Sequence, residues 1–501
     1  MPDFSSQQSV VSWTFIVYIA LLLLLGVIAW LRTSNLSDYI LGGRSLGVWV
    51  SSISAGASDM SGWLLLGLPG FAFASGLQAV WLISGLWLGS YLNWRLVARR
   101  LRIFSELAKD SLTLPEFLSQ RFLDKSNMIR FVTAFFTIVF FLFYTVSGLV
   151  ASGKLFNTVF AIPYEYALLI GVSVIVLYTL IGGFLAVSWT DLFQGLLMLF
   201  ALILVSYLAV FELDGFGNSI DLIQAKRPEH LSVWFDQEGN ALSKATIISL
   251  LAWGLGYFGQ PHILARFKAM NIAANSHRAR QIAMTWSGLS MLAAVCIGLF
   301  GFALVGGAEA LADPERIFMV LIDQLLPSVL AGICLAAILA AIMSTADSQL
   351  LVSASVLTED IYRVLNNKSL SQMHLVWVGR ILVIVLALLA LLLAQDPESS
   401  VLDLVAYAWA GFGAAFGPVM ILSLFWRNIN RAGAIVGIIS GACTVVIWKQ
   451  LSGGVFDIYE LLPGFIISMI SIIVVSKFTR PPEDKVLEMY DIYKQRLSAD
   501  H

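Results

Sequence analysis

Charged residues and cysteines are scarce in this sequence, and each scarcity excludes a class of protein. Lys, Arg, Asp and Glu make up 12% of the 501 residues, against roughly one residue in four in a soluble globular domain. The formal net charge of −2 excludes the strongly basic surface that nucleic-acid binding requires. The three cysteines, Cys296, Cys334 and Cys443, lie in apolar runs without paired spacing. This pattern excludes a disulfide framework and a zinc site, and it predicts packing roles.

Catalytic and energy-coupling motifs are also missing. The sequence contains no G-x-x-x-x-G-K-S/T loop, so an ATP-driven pump is not indicated. The longest connections between apolar runs, residues 98–127 and 212–244, are too short for a catalytic domain, and the tail after Lys477 is expected to be too short for a signalling module. We find no nucleophile–base–acid set, no metal-ligand cluster and no repeated filter motif. The sequence therefore disfavours an enzyme, a channel and a sensor.

Apolar residues dominate the chain. They make up 58% of it, with 15 Trp, 32 Phe and 39 Gly, a composition typical of helices that face lipid and pack closely. Residues 1–501 are predicted to form one all-α polytopic membrane domain in a lipid bilayer, because many apolar runs can cross a hydrocarbon core of about 30 Å. Thirteen transmembrane helices are predicted near residues 9–30, 47–71, 75–97, 128–153, 163–184, 188–211, 245–264, 282–306, 328–355, 374–394, 402–426, 432–450 and 461–477.

The distribution of Lys and Arg gives an orientation. With thirteen spans, 24 of the 30 basic residues fall in alternate connecting segments. By the positive-inside rule these segments are cytoplasmic. The prediction is an outside N-terminus, an inside C-terminus and a charged cytoplasmic tail at 478–501.

The second predicted span is unusual for a membrane helix. Residues 51–70 are rich in Ser and Gly and contain Pro69, with Asp59 near the middle. This composition lowers helix propensity and indicates an unwound segment, where transporters bind ions and substrates. The alternative interpretation is that the small residues only permit close helix packing.

Two further acids lie within or beside apolar runs. Asp191 is either functional or an N-terminal cap of the sixth span, and Asp347 is either an ion ligand or a helix–helix hydrogen-bonding residue. Ser344 and Thr345 precede Asp347. Their hydroxyls suit a hard cation such as sodium if a second element, such as the unwound second span, completes the oxygen shell. By themselves they are weak indicators, because such hydroxyls commonly bond their own backbone.

The seventh span contains a second glycine-interrupted segment, WGLGYFGQPH at 253–262. Irregular segments five spans apart indicate inverted repeats with a site between them, so we predict repeats at 47–211 and 245–426. Trp253 and Tyr257 could instead form an interfacial aromatic belt. His262 is predicted to form structural hydrogen bonds rather than relay protons.

Six motifs together resemble the sodium:solute symporter family, and the resemblance covers almost the whole chain. They are DYILGGRSLG (38–47), GASDMSGW (56–63), IGGFLAVSWTD (181–191), residues 253–267, AAILAAIMST (336–345) and YAWAGFGAAFGP (407–418). The resemblance implies the five-plus-five inverted-repeat core of the leucine transporter and no bound cofactor other than Na+ as coupling ion. It further implies import of a small solute across the bacterial cytoplasmic membrane by alternating access. L-Proline is the expected solute, and another amino acid or pantothenate is the alternative.

The resemblance also implies site residues. Sodium would be bound by backbone oxygens of Ala57, Met60 and Ala341 and by the hydroxyls of Ser344 and Thr345, with Asp59 as the nearby acid. Residues expected to contact the substrate are Ser61, Trp63, Gly67, Tyr144, Trp253, Tyr257 and Pro261. For proline, amides of the broken helix suit the carboxylate and aromatic faces suit the ring and its ammonium.

Four more residues are expected to act in coupling or in a second cation site. Arg44 matches an arginine linked to coupling in the family. Asp191 matches an acid near a second sodium site in sialic acid symporters. We hypothesise that it binds a second cation with Asp347 and Ser348.

Overall fold

The computed structural model describes residues 8–30, 36–366 and 370–499, and this part of the chain is almost entirely helical. The first ten helices are α1 (Gln8–Trp30), α2 (Leu36–Leu41), α3 (Val48–Ala57), α4 (Leu68–Ser75), α5 (Ala79–Asn93), α6 (Arg99–Leu107), α7 (Leu114–Arg121), α8 (Met128–Phe160), α9 (Tyr164–Glu212) and α10 (Phe216–Lys226). The others are α11 (Lys244–Ala252), α12 (Pro261–Ala269), α13 (Ser276–Val305), α14 (Ile317–Leu325), α15 (Ser328–Val356), α16 (Arg363–Leu365), α17 (Gln372–Leu393), α18 (Val401–Phe425), α19 (Arg431–Trp448), α20 (Leu461–Phe478) and α21 (Asp484–Ala499).

Every one of the thirteen predicted spans overlaps a helix of the structure. Ten stretches of the described chain are long and apolar enough to cross a membrane. The second and seventh predicted spans fail that criterion because they are broken, and the fifth falls short because its apolar helix covers only Tyr164–Leu180. The all-helical polytopic fold is confirmed, and the count of thirteen stays a prediction.

The second and seventh predicted spans are each interrupted by a segment that is not α-helical, as the sequence indicates. The second consists of α3, an irregular segment, a π-helical turn at Trp63–Gly67 and α4. The seventh consists of α11, a 3₁₀ segment at Trp253–Gly259 and α12, which begins at Pro261. Proline suits the first turn of a helix because it lacks the amide hydrogen that would be unpaired there.

The boundary between the fifth and sixth predicted spans is a kink rather than a loop. Gly183 has a φ of 64° within the long helix α9, a conformation that favours glycine. Asp191 lies eight residues beyond the kink, inside the helix, so its interpretation as an N-terminal cap is wrong.

Glycine allows the third predicted span to touch the broken seventh one. A Cβ atom on Gly89 of α5 would lie 2.1 Å from the carbonyl oxygen of Gly254, far inside van der Waals contact. Backbone therefore meets backbone here, as small residues permit in membrane helices. This contact places the irregular turn at Trp253–Gly259 against α5.

The cysteines do not share one environment. Cys334 is buried, Cys296 is half-buried and Cys443 is exposed, and all three are free thiols. The predicted packing role is therefore wrong for Cys443.

Candidate ion and substrate site

The break in the second span brings backbone oxygens into the protein interior. Helix α3 ends at Ala57, and Asp59 to Ser61 have no regular helical structure. The amide of Ser61 donates to the carbonyl of Asp59 at 3.0 Å, and the amide of Met60 donates to Gly56 at 2.8 Å. Carbonyls that are not used in a helix ladder become available for an ion or a substrate.

The predicted sodium ligands from α3 and α15 come together in space. The hydroxyl of Ser344 donates to the carbonyl oxygen of Ala57 at 2.8 Å and to that of Ala341 at 3.0 Å. The hydroxyl of Thr345 lies 3.3 Å from the same Ala57 oxygen. Four oxygen atoms from two elements therefore converge on one point. Met60 is buried in the same break, and its recorded backbone contact is with Gly56.

Asp59 has a different set of partners from these ligands. Its Oδ2 accepts a hydrogen bond from the hydroxyl of Tyr257 at 2.7 Å, which joins the two broken spans. Its carbonyl oxygen accepts from Trp63 Nε1 at 3.0 Å and from the Tyr144 hydroxyl at 3.2 Å. Four of the predicted residues thus form one connected set around the break.

The other predicted substrate residues lie around this connected set. Trp253 and Tyr257 are buried within the protein, so the interfacial-belt interpretation is wrong for both. Pro261 is buried at the start of α12, and Ser61 accepts weakly from the Trp63 amide, at 3.4 Å.

Gly67 lies at the edge of a larger space. It lines a half-open cavity of about 700 Å³ with Gly70, Glu315 and Leu402. This cavity is at the end of the bundle that is predicted to face outside. It gives a candidate entry route toward the break.

Trp409 of α18 is a site residue that the sequence did not single out. Its Nε1 donates to the carbonyl of Trp253 at 2.7 Å. Its ring meets the Tyr257 ring edge-on at a centroid distance of 4.9 Å. The residue lies within the motif at 407–418. The sequence does not show that it supports the 3₁₀ turn, because that role depends on contacts with residues far away in the chain.

The structure brings Asp191 and Ser348 together around an arginine. Arg266 Nη2 lies 3.0 Å from Asp191 Oδ2 and 2.5 Å from the Ser348 hydroxyl. Ser54 donates to the same carboxylate oxygen at 2.6 Å. Both charged side chains of this pair are fully buried. The guanidinium thus supplies positive charge where we hypothesised a second cation.

Asp347 belongs to a separate contact. Its Oδ1 accepts a hydrogen bond from Thr179 of α9 at 2.6 Å. This bond joins α9 to α15, as the helix–helix interpretation predicts. The other carboxylate oxygen, Oδ2, has no hydrogen-bond partner in the described part of the chain.

Arg44 lies at the opposite end from the half-open cavity. Its Nε lies 2.7 Å from Asp110 Oδ1, and its Nη1 donates to the carbonyl of Lys268 at 2.8 Å and to the Ser105 hydroxyl at 3.0 Å. Arg44 therefore links the segment before α3 to the end of α12 and to the loop after α6.

His262 does not form the structural hydrogen bonds that were predicted. Neither ring nitrogen has a partner among the described residues. The imidazole instead lies between the rings of Phe141 and Tyr144, at centroid distances of 5.7 and 6.0 Å. Packing rather than hydrogen bonding holds it.

Two broken helices that lie inside a helical bundle and hydrogen-bond to each other are characteristic of the leucine-transporter fold. A solved sodium-coupled sialic acid symporter, in a substrate-bound outward-open state, has this fold: it matches with a TM-score of 0.80 at 20% identity, over 95% of this chain and 99% of that one. The nucleobase-cation-symport-1 family transporter Mhp1, in a closed conformation, matches with a TM-score of 0.55 at 16% identity, over 91% and 98% of the two chains.

The chain belongs to the sodium:solute symporter family, whose model matches residues 39–441. It is 50% identical to the sodium/proline symporter of Escherichia coli (strain K12), over 94% of this chain and 93% of that protein. It is 46% identical to the high-affinity proline transporter PutP of Bacillus subtilis (strain 168), over 95% and 100% of the two chains.

Proposed function

We propose that this protein is a secondary symporter that imports L-proline with sodium across the bacterial cytoplasmic membrane by alternating access. The solute and the ion are those of sodium/proline symporters and a proline transporter that are 42–50% identical to this chain over nearly its whole length. The proposed orientation has the N-terminus outside and the C-terminus inside, because this places 24 of the 30 basic residues in the cytoplasm. No bond is made or broken in this function.

One observation carries the ion coupling. Four oxygen atoms lie close together. The Ser344 hydroxyl is 2.8 Å from the Ala57 carbonyl oxygen and 3.0 Å from that of Ala341, and the Thr345 hydroxyl is 3.3 Å from the Ala57 oxygen. Rotation of the two hydroxyls would turn four lone pairs toward a cation, and sodium accepts such neutral oxygen ligands. Met60 is proposed to complete the shell with its backbone oxygen.

Sodium at this point would hold α3 against α15. The break between Ala57 and Trp63 would then be ordered, and its amides are proposed to turn toward the carboxylate of proline. By linkage, proline would raise the affinity for sodium by the same factor. Trp63, Tyr144 and the seventh-span aromatics are proposed to contact the ring of proline.

The inverted repeats and the second cation site are two further proposals. The repeats at 47–211 and 245–426 would each begin with one of the broken spans and place the site between them. A cation at Asp347 would use the free Oδ2 of that residue, whereas Asp191 and Ser348 would serve the buried guanidinium of Arg266.

The test is uptake of labelled L-proline into proteoliposomes with and without an inward sodium gradient, for the wild type and an Asp59→Asn variant. Sodium-driven accumulation in the wild type and its loss in the variant are expected. Sodium-driven uptake of another amino acid or pantothenate, without proline uptake, would replace the solute but keep the coupling. Sodium-independent uptake of every solute tested would contradict the proposal.

A further inference from the structure

Tyr459 lies just before α20, outside both predicted repeats, and it reaches the broken seventh span. Its ring stacks on the indole ring of Trp253, with the two centroids 5.2 Å apart and the two planes 21° apart. Trp253 is one of the aromatic residues that are proposed to contact the ring of proline. The stack therefore connects a peripheral part of the chain to the proposed solute site.

Three hydrogen bonds fix the position of Tyr459. Its amide donates to the Ser249 hydroxyl of α11 at 2.9 Å, and its hydroxyl donates to the Ala406 carbonyl of α18 at 2.6 Å. The carbonyl of the preceding residue, Ile458, accepts from Trp448 Nε1 of α19 at 3.0 Å. Backbone and side chain are both anchored, so the phenol ring presents a fixed surface to the seventh span.

Two supports hold Trp253, and they act on different parts of it. Trp409 of α18 donates to the backbone carbonyl of Trp253 at 2.7 Å. Tyr459 contacts the indole itself, which is the part that would touch a solute. Ala406 and Trp409 lie three residues apart on α18 and so share one face of that helix. Both supports of Trp253 therefore depend on the same face of α18.

The stack matters for binding because Trp253 begins a segment with little rigidity of its own. The 3₁₀ segment Trp253–Gly259 has the sequence WGLGYFG, in which three of the seven residues are glycine. Glycine gives the backbone more conformational freedom than any other residue. A stacked aromatic pair favours one orientation of the indole before the solute arrives, and a side chain that is already ordered loses less entropy on binding.

We propose that Tyr459 is a positioning residue, which sets the affinity for the solute by holding the indole of Trp253 in its binding orientation. This inference rests on the proposed function and adds to it a role for the segment before α20. Tyr459 acts through Trp253 and does not itself contact the solute. The proposed sodium ligands on α3 and α15 are not among its partners, so its loss should act on proline affinity rather than on sodium affinity.

The first experiment measures initial rates of sodium-driven proline uptake in proteoliposomes for the wild type, Tyr459→Leu and Tyr459→Phe. Tyr459→Leu should raise the KM for proline about threefold to tenfold, as expected for the loss of one stacked pair, with little change in the maximal rate. Tyr459→Phe keeps the ring and should recover most of the affinity. The sodium concentration for half-maximal uptake, measured at saturating proline, should keep its wild-type value in both variants.

Phe456→Leu is the matched control. Phe456 is a half-buried aromatic residue of the same connection, and its ring lies against Trp448 with centroids 4.8 Å apart. Its removal should leave the KM for proline unchanged. An unchanged KM in Tyr459→Leu, or an equal rise in Phe456→Leu, would overturn the inference and leave the sodium-driven uptake by the wild type intact. A lower maximal rate with an unchanged KM would show that Tyr459 only stabilises the fold.

Hydrogen–deuterium exchange of the purified protein tests the same contact without a solute. In the absence of sodium and proline, the amides of residues 253–259 should exchange several-fold faster in Tyr459→Leu than in the wild type, and at the wild-type rate in Phe456→Leu. Equal exchange in all three proteins would contradict the inference. Faster exchange in Tyr459→Leu, together with no proline uptake by the wild type, would support the role of Tyr459 in holding Trp253 and contradict the proposed function.

Discussion

At the scale of single residues, hydroxyl groups supply two of the proposed sodium ligands. Ser344 contacts carbonyls of two helices, whereas Ser355 of the same helix bonds only its own turn, at Leu351, at 2.7 Å. Sequence alone does not separate these two kinds of serine. The difference lies in what the neighbouring element presents, here the free carbonyl of Ala57.

Ser344→Ala should raise the sodium concentration for half-maximal proline uptake by about tenfold, because one oxygen ligand is removed. Ser355→Ala should leave it unchanged, since that hydroxyl bonds only within α15. Initial rates of uptake at a series of sodium concentrations measure both. Equal responses of the two variants would contradict a specific role for Ser344.

At the scale of elements, one buried ion pair joins four helices. Arg266 of α12 contacts Asp191 of α9 and Ser348 of α15, and Ser54 of α3 bonds the same carboxylate. The pair also holds two charges that have no access to water. Breaking such a pair costs more than replacing both members, because one charge is left unpaired.

Arg266→Gln should therefore lower the free energy of unfolding by about 3–5 kcal/mol, through the isolated charge on Asp191. The double variant with Asp191→Asn should regain most of that loss. Denaturant unfolding of the protein in detergent micelles measures this free energy for the two single variants and for the double variant. A double variant that loses the sum of the two single effects would show that the residues do not act as a pair.

The contact between α5 and the seventh span depends on glycine at position 89, which has no side chain. Gly89→Ala would place a methyl group 2.1 Å from the Gly254 carbonyl oxygen, and the backbones would have to separate. We expect several-fold less folded protein in the membrane, as seen by size-exclusion chromatography of a fluorescent fusion. Gly217→Ala is the control, because its Cβ would meet nothing within 4 Å. Normal yield of Gly89→Ala would mean that the two elements are less closely packed than described.

At the scale of the whole molecule, the C-terminal helix α21 packs against the rest of the protein instead of projecting from it. Tyr493 stacks on Phe104 of α6 with ring centroids 4.3 Å apart, and its hydroxyl donates to the Leu424 carbonyl at 3.3 Å. Arg121 lies over the Tyr490 ring at 5.2 Å. Burial lowers the pKa of Arg121 to about 10, so the guanidinium stays charged at neutral pH and this cation–π contact persists.

Tyr493→Ala should lower the free energy of unfolding by about 3 kcal/mol, because a buried aromatic ring is lost. Ile492→Ala is the neighbouring control, since Ile492 is 40% exposed and should cost much less. Thermal denaturation of the two purified variants compares them. An unchanged melting temperature for Tyr493→Ala would show that α21 contributes little to stability.

The sequence by itself determined the helical membrane class, the positions of the apolar spans and the two irregular segments. These are local properties: apolar run length, and the low helix propensity of Gly, Ser and Pro around Asp59 and Tyr257. Motif resemblance then gave the family, which the comparisons confirm.

Only the tertiary structure decided which groups meet. It placed Arg266 beside Asp191, turned Asp59 toward Tyr257, and left the ring of His262 without a hydrogen bond to any described residue. Each of these contacts joins residues that are far apart in the chain. Hydropathy and propensity describe a residue within its own helix, whereas the partner of a buried charge is fixed by the packing of separate helices.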